Sequence, residues 1–121
     1  MLSLMICSSL LALDGDTVKC DGKSLRDMGD GAPFVSGYDT PEIGKNADCQ
    51  NEESLGQFAK RRMADLLMTP GLTIEDSGEI DRFDRPLVVL RLPDGRTIGR
   101  VLLDEGLAVE WRPGGDFDWC R

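Results

Sequence analysis

Apolar and polar positions change period several times along the chain, and each change marks an element. Across residues 51–68, Leu55, Phe58, Ala59, Met63, Leu66 and Leu67 recur three and four apart, the spacing of a helix with one buried face. Asn51 can cap it, Glu52 and Glu53 suit the positive end of its dipole, and Thr69-Pro70-Gly71 ends it. Lys60, Arg61 and Arg62 fall mostly on the other face, where a solvated stripe is the ordinary reading. Two-residue alternation or short apolar runs predict strands at 8–13, 17–20, 72–75 and 86–92, the last built on Leu87-Val88-Val89-Leu90. Asp14-Gly15-Asp16 and Asp21-Gly22-Lys23 are the tight turns of a β-meander. A short helix over 98–105 is closed by Gly106, and residues 107–111 then cover the sheet.

Length adds that residues 1–121 form one domain with a single core. Composition is that of an ordinary globular chain, 40% hydrophobic and 30% charged. No run approaches the ~18–20 apolar residues of a membrane span. The chain has no histidine, which excludes a His-based triad, a His-ligated zinc and a His general base. Acid–base work then falls to carboxylates. Cys7, Cys20, Cys49 and Cys120 lack CxxC spacing, which argues against zinc or a dithiol motif. Alternation places Val18 and Cys20 on one face, so Cys20 reads as a core thiol. The apolar opening resembles the middle of a signal peptide without its basic start, and it runs straight into the turn at 14–16. A trimmed export signal or a displaced start is the expectation there.

Two tetrapeptides carry the candidate chemistry, Asp14-Gly15-Asp16-Thr17 and Asp39-Thr40-Pro41-Glu42. Alone, each is a turn. Together they place Asp16, Asp39 and Glu42 around a stretch that contains Arg26. Carboxylates brought close repel unless a cation sits among them, and oxygen donors suit a hard cation such as Ca²⁺. Further along stand Asp81-Arg82-Phe83-Asp84-Arg85 and Glu105-Gly106-Leu107-Ala108. In this order, across residues 11–111, the four motifs resemble the staphylococcal-nuclease-like (thermonuclease) family.

The resemblance implies an α+β, mainly β fold: a five-stranded OB-type barrel with two to three helices. It implies a Ca²⁺-dependent phosphodiesterase acting on DNA or RNA. Asp16, Asp39 and the Thr40 carbonyl would hold Ca²⁺, Glu42 would orient or deprotonate the attacking water, and Arg26 and Arg85 would grip the phosphate. Arg82 and Phe83 would contact substrate. Cys49 and Cys120 would pair while Cys20 stays reduced, and the protein would be secreted or periplasmic, with a cytoplasmic location as the alternative.

Three departures weigh against this. Phe83 stands where relatives often have Tyr, and Asp84, where they have Gly, puts a carboxylate beside Arg85. Residues 30–37 interrupt the family pattern: looping them out makes Arg26 the first arginine, whereas an ungapped register puts Phe34 there. The formal charge of −8 gives little help with a polyanion. The alternative function is therefore a weak or inactive nuclease-like domain that binds oligosaccharide or a protein partner.

Overall fold

The computed structural model describes residues 3–121, and its elements are mixed α and β, mainly β. Six strands form one sheet: β1 (Ser3–Met5), β2 (Leu10–Ala12), β3 (Thr17–Cys20), β4 (Lys23–Asp27), β6 (Thr73–Ile80) and β7 (Pro86–Arg91). Their order is β1-β6-β7-β4-β3-β2. All neighbours are antiparallel except β4 and β7, which pair in parallel through Arg26–Leu87 and Asp27–Val88. A separate ladder joins β5 (Gly37–Asp39) to β8 (Val109–Trp111).

The sheet's two edge strands, β1 and β2, are consecutive in the chain and only residues 6–9 separate them. A sheet whose edges are tied so closely must curl, and the curl encloses Val18, Leu25, Val88 and Leu90. Helix α1 (Gln50–Leu67) lays Met63 and Leu66 on this core, and α2 (Ile98–Asp104) adds Ile98, Val101 and Leu102.

Several expectations change here. The first strand expected at 8–13 is the shorter β2 (Leu10–Ala12), and β1 (Ser3–Met5) precedes it, so the main sheet has six strands rather than five. Ser3–Met5, within the apolar opening, is a strand that pairs with β6. β6 also runs five residues past the expected Glu75, because its polar outer half stays paired to β7 across an irregularity between Asp76 and Ile80. In α1 the cap is Cys49, whose sulfur accepts from the Glu52 N–H, while Asn51 donates to the Trp119 carbonyl. Phe58, expected on the buried face, is instead exposed under the Arg61 guanidinium, and Gly56 is buried.

Cys49 and Cys120 are disulfide-bonded, with Cα atoms 6.0 Å apart. Cys20 is buried as expected but not reduced: it is bonded to Cys7 at a Cα separation of 5.4 Å. That bridge ties the segment between β1 and β2 to the end of β3. No helix among the described residues is long and apolar enough to cross a membrane.

Candidate active site

The turn between β2 and β3 is set by its first residue. Asp14 Oδ1 accepts from the backbone N–H of Asp16 at 2.9 Å and of Thr17 at 2.8 Å, closing an Asx-type turn. A methyl at Gly15 would lie 2.6 Å from Thr40 Cγ2 and 2.8 Å from Ala59 Cβ. Only glycine lets this backbone lie so close to the 39–42 loop and α1.

Helix α1 grips that loop from the other side. Glu52 accepts from the Glu42 N–H at 3.0 Å and from the Asp48 N–H at 2.8 Å, and Glu53 accepts from the Gly44 N–H. A methyl at Gly56 would stand 2.6 Å from the Glu42 carbonyl oxygen and 2.9 Å from that of Pro41. Glycine inside a helix costs about 1 kcal/mol relative to alanine, and here the close approach requires it.

Arg26 lies on β4 beside Thr17 of β3. Its Nη1 is 2.8 Å from Asp16 Oδ2, and its Nη2 donates to the Tyr38 carbonyl at 2.6 Å. Phe34 sits instead on a turn within the 30–37 loop, 54% exposed. The fold therefore places Arg26, and not Phe34, against Asp16. Arg85 is held by Asp81, which accepts its Nε at 2.8 Å and its backbone N–H at 3.0 Å, and Arg85 Nη1 donates to Thr17 Oγ1 at 3.2 Å. Asp84 does not compete for it. Its backbone takes the left-handed conformation that a glycine would favour, and its carboxylate faces Lys23 Nζ at 3.3 Å.

Asp14, Asp16, Asp39, Glu42, Arg26 and Arg85 thus line one cavity of about 430 Å³, with Phe83 also contributing. Thr40 and Arg82 do not line it. Thr40 is buried and its N–H donates to Asp16 at 3.4 Å, while Arg82 borders a neighbouring groove. Among the described residues no three Asp, Glu or Cys side chains stand together as a ready-made metal-binding group.

Charge in the cavity is unbalanced, four carboxylates against two guanidiniums. Burial, then the Asp16 charge, pushes Asp39 up to about 6, with Glu42 adding to the effect and Arg26 opposing it. Asp14 is raised by burial and by Asp16, and Glu42 by burial, Asp16 and Glu52. Burial acts against ionised Asp16 too, but the Arg26 guanidinium and hydrogen bonds from its neighbours more than offset it and leave its carboxyl below the usual range. A hard divalent cation takes oxygen donors of this type, and one bound here would relieve the repulsion that raises these groups.

No family model and no curated protein matches the chain. Each residue's role therefore rests on its own geometry.

Three supporting residues escaped the sequence reading. In the sequence Asp14 reads only as part of a turn. Asp27 and Tyr38 form a buried link beneath the site: the Tyr38 hydroxyl lies 2.8 Å from Asp27 Oδ2 and 3.0 Å from the Gly15 carbonyl. Asp27 Oδ1 accepts from the Leu90 and Gly29 N–H groups at 3.1 and 3.2 Å. Burial, only partly offset by these hydrogen bonds and by Arg26, pushes Asp27 up to about 6. A signal for it existed, since alternation in β4 puts Asp27 on the same inward face as Leu25.

Proposed function

We propose that the protein is a Ca²⁺-dependent phosphodiesterase of the staphylococcal-nuclease-like type, hydrolysing DNA or RNA. The observation that carries this is the shared cavity, where two arginines from different elements meet the carboxylates of both tetrapeptide anchors. The strand order supports an OB-type architecture: β2, β3 and β4 form a meander, β4 pairs in parallel with β7, and β6 follows β7.

Asp16 and Asp39 would hold the cation, which supplies charge neutralisation and Lewis acidity to a bound phosphate. Arg26 and Arg85 bind the phosphate oxygens. Each is fixed by a carboxylate 2.8 Å away, and a guanidinium has five N–H donors, so both keep donors free for substrate. Their charge persists at any working pH, which suits stabilisation of a negative transition state. Glu42, on the loop gripped by Glu52, accepts the proton of the attacking water.

Two disulfides suit an oxidising compartment, secreted or periplasmic. The binding-module reading, for oligosaccharide or a protein partner, is favoured by one observation: both arginines are already ion-paired in a chain of charge −8. Hydrolysis of DNA and RNA in Ca²⁺ and in chelator separates the two. Cleavage that needs Ca²⁺ and falls in Glu42→Gln supports the enzyme, and none in either buffer supports the module.

A further inference from the structure

Beside the phosphate cavity lies a larger groove of about 630 Å³ that shares Arg26, Phe83 and Arg85 with it. Its walls are mainly apolar and aromatic, with Leu87, Trp111, Phe83 and Phe34 among them. Phe34 belongs to the loop that interrupts the family pattern, and its backbone sets it apart. Ala32-Pro33-Phe34-Val35 is a turn closed by the Val35 N–H donating to the Ala32 carbonyl at 3.1 Å, with Phe34 at φ 65° in the third position. That position normally takes glycine or asparagine, and a bulky residue there is strained. The loop holds it nonetheless. Ser36 donates to Ala32 through its backbone N–H at 3.2 Å, the Ala32 N–H donates to Ser36 Oγ at 3.2 Å, and Asp30 is tied to Thr97 and Arg100 at 2.9 Å each.

A strained, half-exposed aromatic ring on a braced loop, facing a groove that opens into a phosphate site, has a ready use. We propose that Phe34 is a base-stacking residue: the 30–37 loop presents its ring to an unpaired nucleobase whose phosphate lies against Arg26 and Arg85. This rests on the phosphodiesterase reading and adds to it a substrate contact supplied by the loop. Stacking on an aromatic face tolerates any base, since every base has a π-face, and it is denied to a base still paired within a duplex.

The test is equilibrium binding by fluorescence anisotropy in Ca²⁺, with the full chain carrying Glu42→Gln to suppress turnover. The probes are a labelled oligothymidylate and an abasic strand of the same length. With Phe34 present the oligothymidylate binds more tightly than the abasic strand. Phe34→Ala lowers affinity for the oligothymidylate 5- to 150-fold, about 1–3 kcal/mol, and brings the two affinities together, whereas Phe34→Trp keeps them apart. Phe34→Gly, which removes the backbone strain, loses the base contribution as well while melting at or above the temperature of the parent chain. A base contribution that survives Phe34→Ala and Phe34→Gly overturns the proposal, as does equal binding of both strands by the parent chain. Failure to bind either strand overturns the phosphodiesterase reading itself.

Discussion

Replacing Asp27 by asparagine should stabilise the protein in a way that depends on pH. Asp27 is 1% exposed, and its carboxyl is moved from an ordinary 3.8 to about 6, chiefly by burial. Each factor of ten in proton affinity is 1.36 kcal/mol, so the shift corresponds to about 3 kcal/mol. The folded state binds this proton more tightly than the unfolded state does. The stabilisation is therefore complete below about pH 4 and is lost as pH rises through about 6. Asparagine imitates the protonated acid: its carbonyl can accept from the Leu90 and Gly29 N–H groups, and its amide can donate to Tyr38, which then donates to the Gly15 carbonyl. Urea unfolding of both proteins in chelator, between pH 4 and 8, measures the difference. Subtraction removes the parallel contributions of Asp14, Asp39 and Glu42, which the two chains share. The two stabilities should coincide near pH 4 and part by up to about 3 kcal/mol in favour of Asp27→Asn above pH 6. A difference that stays flat across this range would refute the reasoning.

Other expectations are simpler. Gly56→Ala should cost about 1–3 kcal/mol in urea unfolding and slow turnover, because the methyl meets the carbonyls of Pro41 and Glu42 and displaces the loop. Loss of the Cys7–Cys20 bridge, which spans 13 residues, should cost about 3 kcal/mol, and loss of Cys49–Cys120, which spans 71, about 4 kcal/mol, read from chemical unfolding of the Cys→Ser pairs. Ca²⁺ at a hundredfold excess over its dissociation constant should add about 2.7 kcal/mol and raise the melting temperature by about 10 °C. An unchanged midpoint in millimolar Ca²⁺ would remove the cation from the account.

Elements whose residues pack locally were readable from the sequence. α1, α2, β3 and β7 carry their period within one stretch, and the observed bounds lie within a residue or so of those expected. What escaped depends on distant partners. Ser3–Met5 carries no strand signal of its own, and only its pairing with β6, some seventy residues away, makes it a strand. The outer half of β6 is polar and is held as a strand by its partner rather than by its composition. Cys20 could be placed inward by alternation, but nothing local identifies Cys7 as its partner. In the site, Asp16, Arg26, Asp39, Glu42 and Arg85 were all named from motifs, and the fold brings them to one cavity. Asp27 stands out in the sequence only as a carboxylate where relatives carry an aliphatic residue, and its role is not legible there, since its partners Tyr38 and Leu90 come from β5 and β7.

The central claim is that these groups act on a phosphodiester in its transition state, and steady-state hydrolysis of DNA in Ca²⁺ by Glu42→Gln and Arg26→Lys tests it most directly. Lysine keeps the charge next to buried Asp16, so the second variant probes the guanidinium's geometry rather than the loss of an ion pair. Glu42→Gln should lower kcat by about 10²–10⁴ with KM little changed, and Arg26→Lys should lower kcat more than it raises KM. Calcium-dependent hydrolysis that proceeds at the unsubstituted rate in both variants would contradict the account.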